Sequence, residues 1–173
     1  MTDQKIIINN LGIAAKKAAS ELSIISGDEK NKALNNLKKK LKLISSELIE
    51  INKKDIENAY TLKLSSSMID RLTLTKDRVS NMISSLDEII NLNDPVGNVL
   101  SEWDRPNGLH IKKISTPIGV IGIIFESRPN VTVDASAIAM KAGNAVILRG
   151  GKDSFFTSQK LSAAIRESFN AAG

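Results

Sequence analysis

Cysteine is absent from this 173-residue sequence. That excludes a disulfide framework, a thiolate metal site and a cysteine nucleophile supplied by the chain itself. Histidine occurs once, at His110, so no histidine-based metal cluster can assemble and no metal is expected. His110 stands in an alternating segment and reads as a surface strand residue without a chemical role. Aromatic residues are equally sparse, with one Trp, one Tyr and four Phe. Proteins that stack on nucleic-acid bases need aromatic platforms, so the net charge of +5 does not point to a nucleic-acid partner. No apolar run approaches the roughly 20 residues that span a bilayer, and Ile6-Ile7-Ile8 is too short for a signal-peptide core. A cytoplasmic protein with no membrane partner is the default expectation.

With 42% hydrophobic and 25% charged residues, the chain suits one globular domain or part of a larger one. Leu11, Ala15, Ala18, Leu22 and Ile25 recur at helical spacing and predict an amphipathic helix ending near Gly27. Ser26 and Glu29 have the capping-box spacing, and Leu34, Leu37, Leu41, Ile44, Leu48 and Ile51 continue one stripe through a second helix. This stripe lasts too briefly to establish a coiled coil. Lys38, Lys39, Lys40 and Lys42 lie mostly off it and read as a solvated face rather than an anion site. A short helix over 55–64 and a surface connection at 65–67 follow. A third clear helix then carries Val79, Met82, Ile83, Leu86, Ile89 and Ile90 inward and stops before Asp94-Pro95.

Extended runs flank Arg105-Pro106-Asn107-Gly108, where Asn-Gly signals a hairpin turn. Beyond it, Ile118–Phe125 is a continuous apolar run, which predicts a parallel strand buried on both faces. Small residues from Val131 predict a helix closed by Gly143 in a left-handed conformation. Ala145–Leu148 is a second strand. Arg149-Gly150-Gly151-Lys152 then leads to Asp153-Ser154, good N-caps for a last helix carrying Leu161, Ala164, Ile165 and Phe169. This strand-helix-strand unit sets both strand ends at one rim, where α/β proteins bind ligands. By itself the glycine pair reads as a tight turn. It is not a phosphate-loop motif, because Asp153 stands where a hydroxyl is needed.

The strings GVIGIIFESRPNVT at 119–132 and GNAVILRGG at 143–151, with RLTLT at 71–75 and DPVG at 94–97, carry a specific signal. Together they closely resemble the acyl-phosphate-reducing, proline-biosynthetic branch of the aldehyde dehydrogenase superfamily. The resemblance runs through the whole chain and covers less than half of a family member. It implies an α/β fold, with N-terminal helices, a partial Rossmann-like parallel sheet and a protruding β-hairpin. Residues 1–98 would form the helical part of the cofactor domain, 99–115 an oligomerisation hairpin, and 116–173 a partial NADP-binding region without the catalytic domain. From the sequence alone, the hairpin is equally an ordinary edge element.

The implied activity is NADPH-dependent conversion of L-glutamate 5-phosphate to L-glutamate 5-semialdehyde. The substrate is then a small molecule, the cofactor NADPH/NADP and the assembly a homo-oligomer. Resemblance turns the glycine loop into a cofactor element: Arg149, Gly150, Gly151 and Lys152 would hold the adenosine phosphate, with Phe125 and Glu126 beside it. Arg149 stands where the superfamily usually has Lys, so preference for NADP over NAD rests on the family with charge as support. Asn130 matches the asparagine whose amide stabilises the oxyanion, whereas an ungapped register would put Arg128 there. Ser127 and Arg128 are the substrate-binding candidates, Arg128 as an anchor for the acyl phosphate or the α-carboxylate. In the superfamily a cysteine attacks the acyl group, so this chain alone is expected to be inactive. A truncated, non-catalytic remnant that binds a partner or self-associates is the alternative reading.

Overall fold

The computed structural model describes residues 2–173, and no helix among them is long and apolar enough to cross a membrane. Five helices precede the first strand: α1 (Thr2–Leu22), α2 (Gly27–Leu43), α3 (Ser45–Thr61), α4 (Ser66–Leu72) and α5 (Lys76–Asn91). The capping box predicted at the start of α2 is formed, with Ser26 and Glu29 satisfying each other's backbone N–H groups. The single long helix expected through Ile51 is not. The chain breaks at Ile44 (φ −96°, ψ 9°), and the short helix expected over 55–64 is the second half of α3. Neither Gly nor Pro marks the break, and Ile44 and Leu48 stay buried across it. Periodicity reports which face is buried and is silent on whether the axis bends. The serines at 65–67 are no mere connection either, because the Ser65 side chain caps α4.

In α1 the stripe is offset from its expected position. Ala15 and Ala19 are buried, whereas Leu11 is exposed. The main core lies among α2, α3, α5, an α6 (Val131–Lys141) and an α7 (Phe155–Asn170), where Leu37, Leu48, Leu86, Val133 and Leu161 are completely buried. Each such side chain contributes on the order of 1.5–3 kcal/mol by leaving water. Lys38 and Lys40, expected on a solvated face, pair with Asp87 and Glu167.

Strands β1 (Val99–Asp104) and β2 (His110–Ile114) form an antiparallel hairpin that pairs Trp103 with Ile111, and every residue of β1 is exposed. Its turn uses Gly108 at φ +84°, a conformation glycine adopts without a steric penalty. His110 is indeed an exposed strand residue, its Nδ1 2.7 Å from Asp104 Oδ1. Strands β3 (Val120–Ile124) and β4 (Ala145–Arg149) pair in parallel through α6, with Ile124 beside Arg149. Gly143 closes α6 at φ +71°, and a Cβ there would stand 2.9 Å from Pro117 Cγ. The double-sided burial expected of β3 is not observed. Its residues alternate, and Ile118 and Ile124 are each 83% exposed, because only two strands pair in this sheet among the described residues.

A buried ion pair ties the helices to the chain leading into β1. The Lys30 side chain is completely buried, and its Nζ lies 2.9 and 3.1 Å from the Asp94 carboxylate oxygens. Lys141 donates nearby to Asn31 and to the Ile90 carbonyl. Burial pushes the Asp94 carboxyl upward, but the Lys30 hydrogen bond, the Val96 N–H and the charges of Lys30 and Lys141 together hold it below the ordinary value. A depressed folded-state pKa gives stability that is complete above the unfolded value of about 3.9 and is lost as pH falls through the folded one. Urea unfolding is therefore expected to show Asp94→Asn destabilised by about 3–5 kcal/mol at neutral pH, since a buried ammonium loses its partner. The gap to the parent should narrow in acid below about pH 4; a gap that stays constant with pH would refute the assignment.

Candidate functional site

Parallel pairing brings the carboxyl ends of β3 and β4 together, and the Phe125 N–H extends the ladder by donating to the Arg149 carbonyl at 3.1 Å. The loops that follow, 125–130 and 150–154, clasp each other. Ser127, buried and at φ +48°, donates its hydroxyl to the Asp153 carboxylate. A Cβ at Gly151 would come within 2.1 Å of Asp153 Oδ1, and one at Gly150 would touch the Phe125 ring at 3.4 Å. A side chain at Gly151 would therefore displace the Asp153 carboxylate from its place in the clasp, whereas one at Gly150 would meet only ordinary van der Waals contact.

Beside this clasp, Phe125, Arg149, Gly150, Gly151 and Lys152 line a cleft of about 630 Å³, walled by Phe155 and by α7 as far as Arg166. Arg149, Lys152 and Arg166 are cations, and no carboxylate lines the cleft. Thr132, also in its wall, has a fully buried hydroxyl without a hydrogen-bond partner among the described residues. Native structures seldom leave such a group unpaired.

The start of α7 departs from expectation. Asp153 and Ser154 do not cap it; Lys152–Ser154 form a single 3-10 turn, and Ser154 makes no capping bond. The cap comes from Asp55 in α3, whose buried carboxylate accepts from Phe156 N at 3.1 Å, Thr157 N at 2.8 Å and Thr157 Oγ1 at 2.6 Å. Asn52 continues the network, donating to Thr157 Oγ1 and to the Leu72 carbonyl and accepting from Leu74 N at 2.7 Å. The positive end of the α7 dipole is thereby met from behind, by a charge of the protein's own. Attraction for an anion in the cleft then falls to the side chains of Arg149, Lys152 and Arg166.

Asn130 and Arg128 do not join this cleft. They line a second one of about 350 Å³, together with Arg71, Arg78, Ser85 and Asp134. The Asn130 amide donates to Asp134 Oδ2 at 3.0 Å, and the Ser85 hydroxyl shares its one hydrogen between Oδ1 at 3.1 Å and the Met82 carbonyl at 2.9 Å. Of the residues singled out from the sequence, Ser127, its hydroxyl committed to Asp153, and exposed Glu126 line neither cleft. Thr132, Arg166, Asp134 and Asp55 were not anticipated. Arg71 lay inside the RLTLT string, whereas Asp55 offered no signal, because an acid on a helix reads as solvated.

A scan against protein-family models finds no match. The gamma-glutamyl phosphate reductase of Bartonella quintana is 46% identical over 166 residues, covering 96% of this chain and 40% of that protein. The crystal structure of the gamma-glutamyl phosphate reductase of Thermotoga maritima superposes with a TM-score of 0.88 at 40% identity, over 91% of this chain and 38% of that one. A probable aldehyde dehydrogenase from Listeria monocytogenes, 14% identical, shares the fold at a TM-score of 0.68 over 96% of this chain and 34% of its own. The chain thus spans about 40% of the length of the curated relatives it matches. It is homologous, over nearly all its own length, to the gamma-glutamyl phosphate reductases, and its fold is of the aldehyde dehydrogenase type.

Proposed function

We propose that this chain is the N-terminal, cofactor-binding portion of an NADPH-dependent reductase that converts L-glutamate 5-phosphate to L-glutamate 5-semialdehyde in proline biosynthesis. The observation that carries the reading is the cleft at the strand ends, lined by Arg149, Lys152 and Arg166 and by no carboxylate. A dinucleotide phosphate fits this lining. Arg149 and Lys152 would hold its phosphate oxygens, and Phe125 and Phe155 offer apolar surface. When bound, the cofactor supplies a hydride to the acyl carbon.

Asn130 donates one amide hydrogen to Asp134 and keeps a second for a developing oxyanion. Arg128 binds an oxyanion with two parallel bonds. The thiolate that takes the acyl group is not a residue of this chain, which has no cysteine. The exposed hairpin serves assembly into a homo-oligomer. The competing reading, a non-catalytic binding or self-associating module, draws support from Ile7, Ile8, Ile118 and Ile124, all well exposed.

Fluorescence titration of the chain with NADPH and NADH separates these readings. Arg149→Ala is expected to weaken NADPH by about tenfold and NADH by no more than about twofold, since only the former carries the 2′-phosphate. Equal losses would remove Arg149 from that phosphate, and no saturable binding of either nucleotide would favour the module.

A further inference from the structure

The second cleft holds charges that do not satisfy one another. Arg78 has a carboxylate partner, pairing with Asp70 at 2.8 Å and donating to the Thr73 carbonyl at 3.0 Å. Arg71, at the end of α4, and Arg128, in the loop after β3, have no carboxylate partner among the described residues. Asp134, half-buried in α6, likewise has no cationic partner: its two oxygens accept from the neutral groups of Asn130 and Ser85. Two free guanidiniums and one free carboxylate therefore line a single cleft without bridging it.

A simple anion would suit the arginines but would face Asp134. A dipolar ligand suits both. We propose that this cleft seats the head group of an α-amino acid, with Arg71 and Arg128 taking its carboxylate and Asp134 its ammonium group. A guanidinium presents a planar fork to a carboxylate, and an ionised carboxylate has about four lone-pair sites, of which Asp134 uses two on Asn130 and Ser85. The two remaining sites accept an ammonium without disturbing the Asn130 amide. Asp134 thus links recognition of the head group to the orientation of Asn130. The assignment deepens the proposed function, from which it takes the expectation of an amino-acid substrate.

The test is an amide-resolved NMR titration of the full chain with L-glutamate, glutarate, 4-aminobutyrate and inorganic phosphate. L-Glutamate is expected to shift the signals of Ser85, Asn130 and Asp134 saturably. Glutarate, which lacks the ammonium, and 4-aminobutyrate, which lacks the α-carboxylate, should each bind about tenfold more weakly. Asp134→Asn should erase the preference for L-glutamate over glutarate, whereas exposed Arg71→Ala should weaken both by about tenfold, with the remaining spectrum of each variant reporting that it folds. Absence of saturable shifts, phosphate or glutarate binding as tightly as L-glutamate, or a preference that survives Asp134→Asn would each overturn the proposal. NADPH binding without L-glutamate binding would sink this inference alone; the reverse would sink the cofactor reading and leave the amino-acid seat standing.

Discussion

Asp55→Ala is expected to cost about 3–4 kcal/mol of unfolding free energy and to lower the melting midpoint by roughly 10 °C. Asp55 is 1% exposed and its carboxylate receives three hydrogen bonds from the first turn of α7, two of them from backbone N–H groups. Truncation leaves those donors buried, at about 1–3 kcal/mol for each group that water cannot reach, and removes a helix cap worth about 0.5–2 kcal/mol. Asn52 shares Thr157 with it, so the double variant Asp55→Ala/Asn52→Ala should lose less than the sum of the single losses. Urea unfolding followed by circular dichroism measures both quantities. A single-variant loss below about 1 kcal/mol would mean that α7 is not capped from α3.

The purified chain is expected to show no reductase activity, a loss of the whole rate rather than a fraction of it. Acyl-phosphate reduction through a thioester divides one difficult displacement into two easier ones and needs a thiolate to do so. None of the 173 residues is cysteine. Serine does not substitute without a paired base, and the one histidine is turned to Asp104 on the exposed hairpin, on a different element from either cleft. Phosphate-dependent oxidation of L-glutamate 5-semialdehyde with NADP should therefore stay at the background of a mock preparation. Turnover that purifies with the chain and falls in Asn130→Ala would show that the oxyanion donor works without a thiol, contrary to the mechanism given.

The two predictions draw on different kinds of information. The missing nucleophile is read directly from composition. The Asp55 cap is invisible there, because Asp55 and Thr157 lie 102 positions apart and only the packing of α3 on α7 makes them neighbours. The same contrast runs through the candidate site. Arg149, Gly150, Gly151 and Lys152 are contiguous, so a strand-turn-helix pattern was enough to gather them. Along the chain Asp134 is one polar residue in a run of small and apolar ones. Its meaning comes from Ser85, on α5, and from Asn130, one turn before it.

By itself the sequence determined that helices come first and a strand-helix-strand unit last, the hairpin turn at Asn107-Gly108, the left-handed closure at Gly143 and the absence of a thiol. Each of these is a local property, set by backbone sterics, by periodicity or by plain composition. The tertiary structure alone decided that the continuous stripe through Ile44 breaks in two, and that α7 takes its cap from Asp55 rather than from Asp153 or Ser154. It also decided that the predicted site residues divide between two clefts, while Ser127 is clasped to Asp153 and lines neither. The physical reason is common to all three. Burial removes water as a hydrogen-bonding partner, so a polar group must take whichever protein group packing brings within reach, and that choice is made across the chain rather than along it.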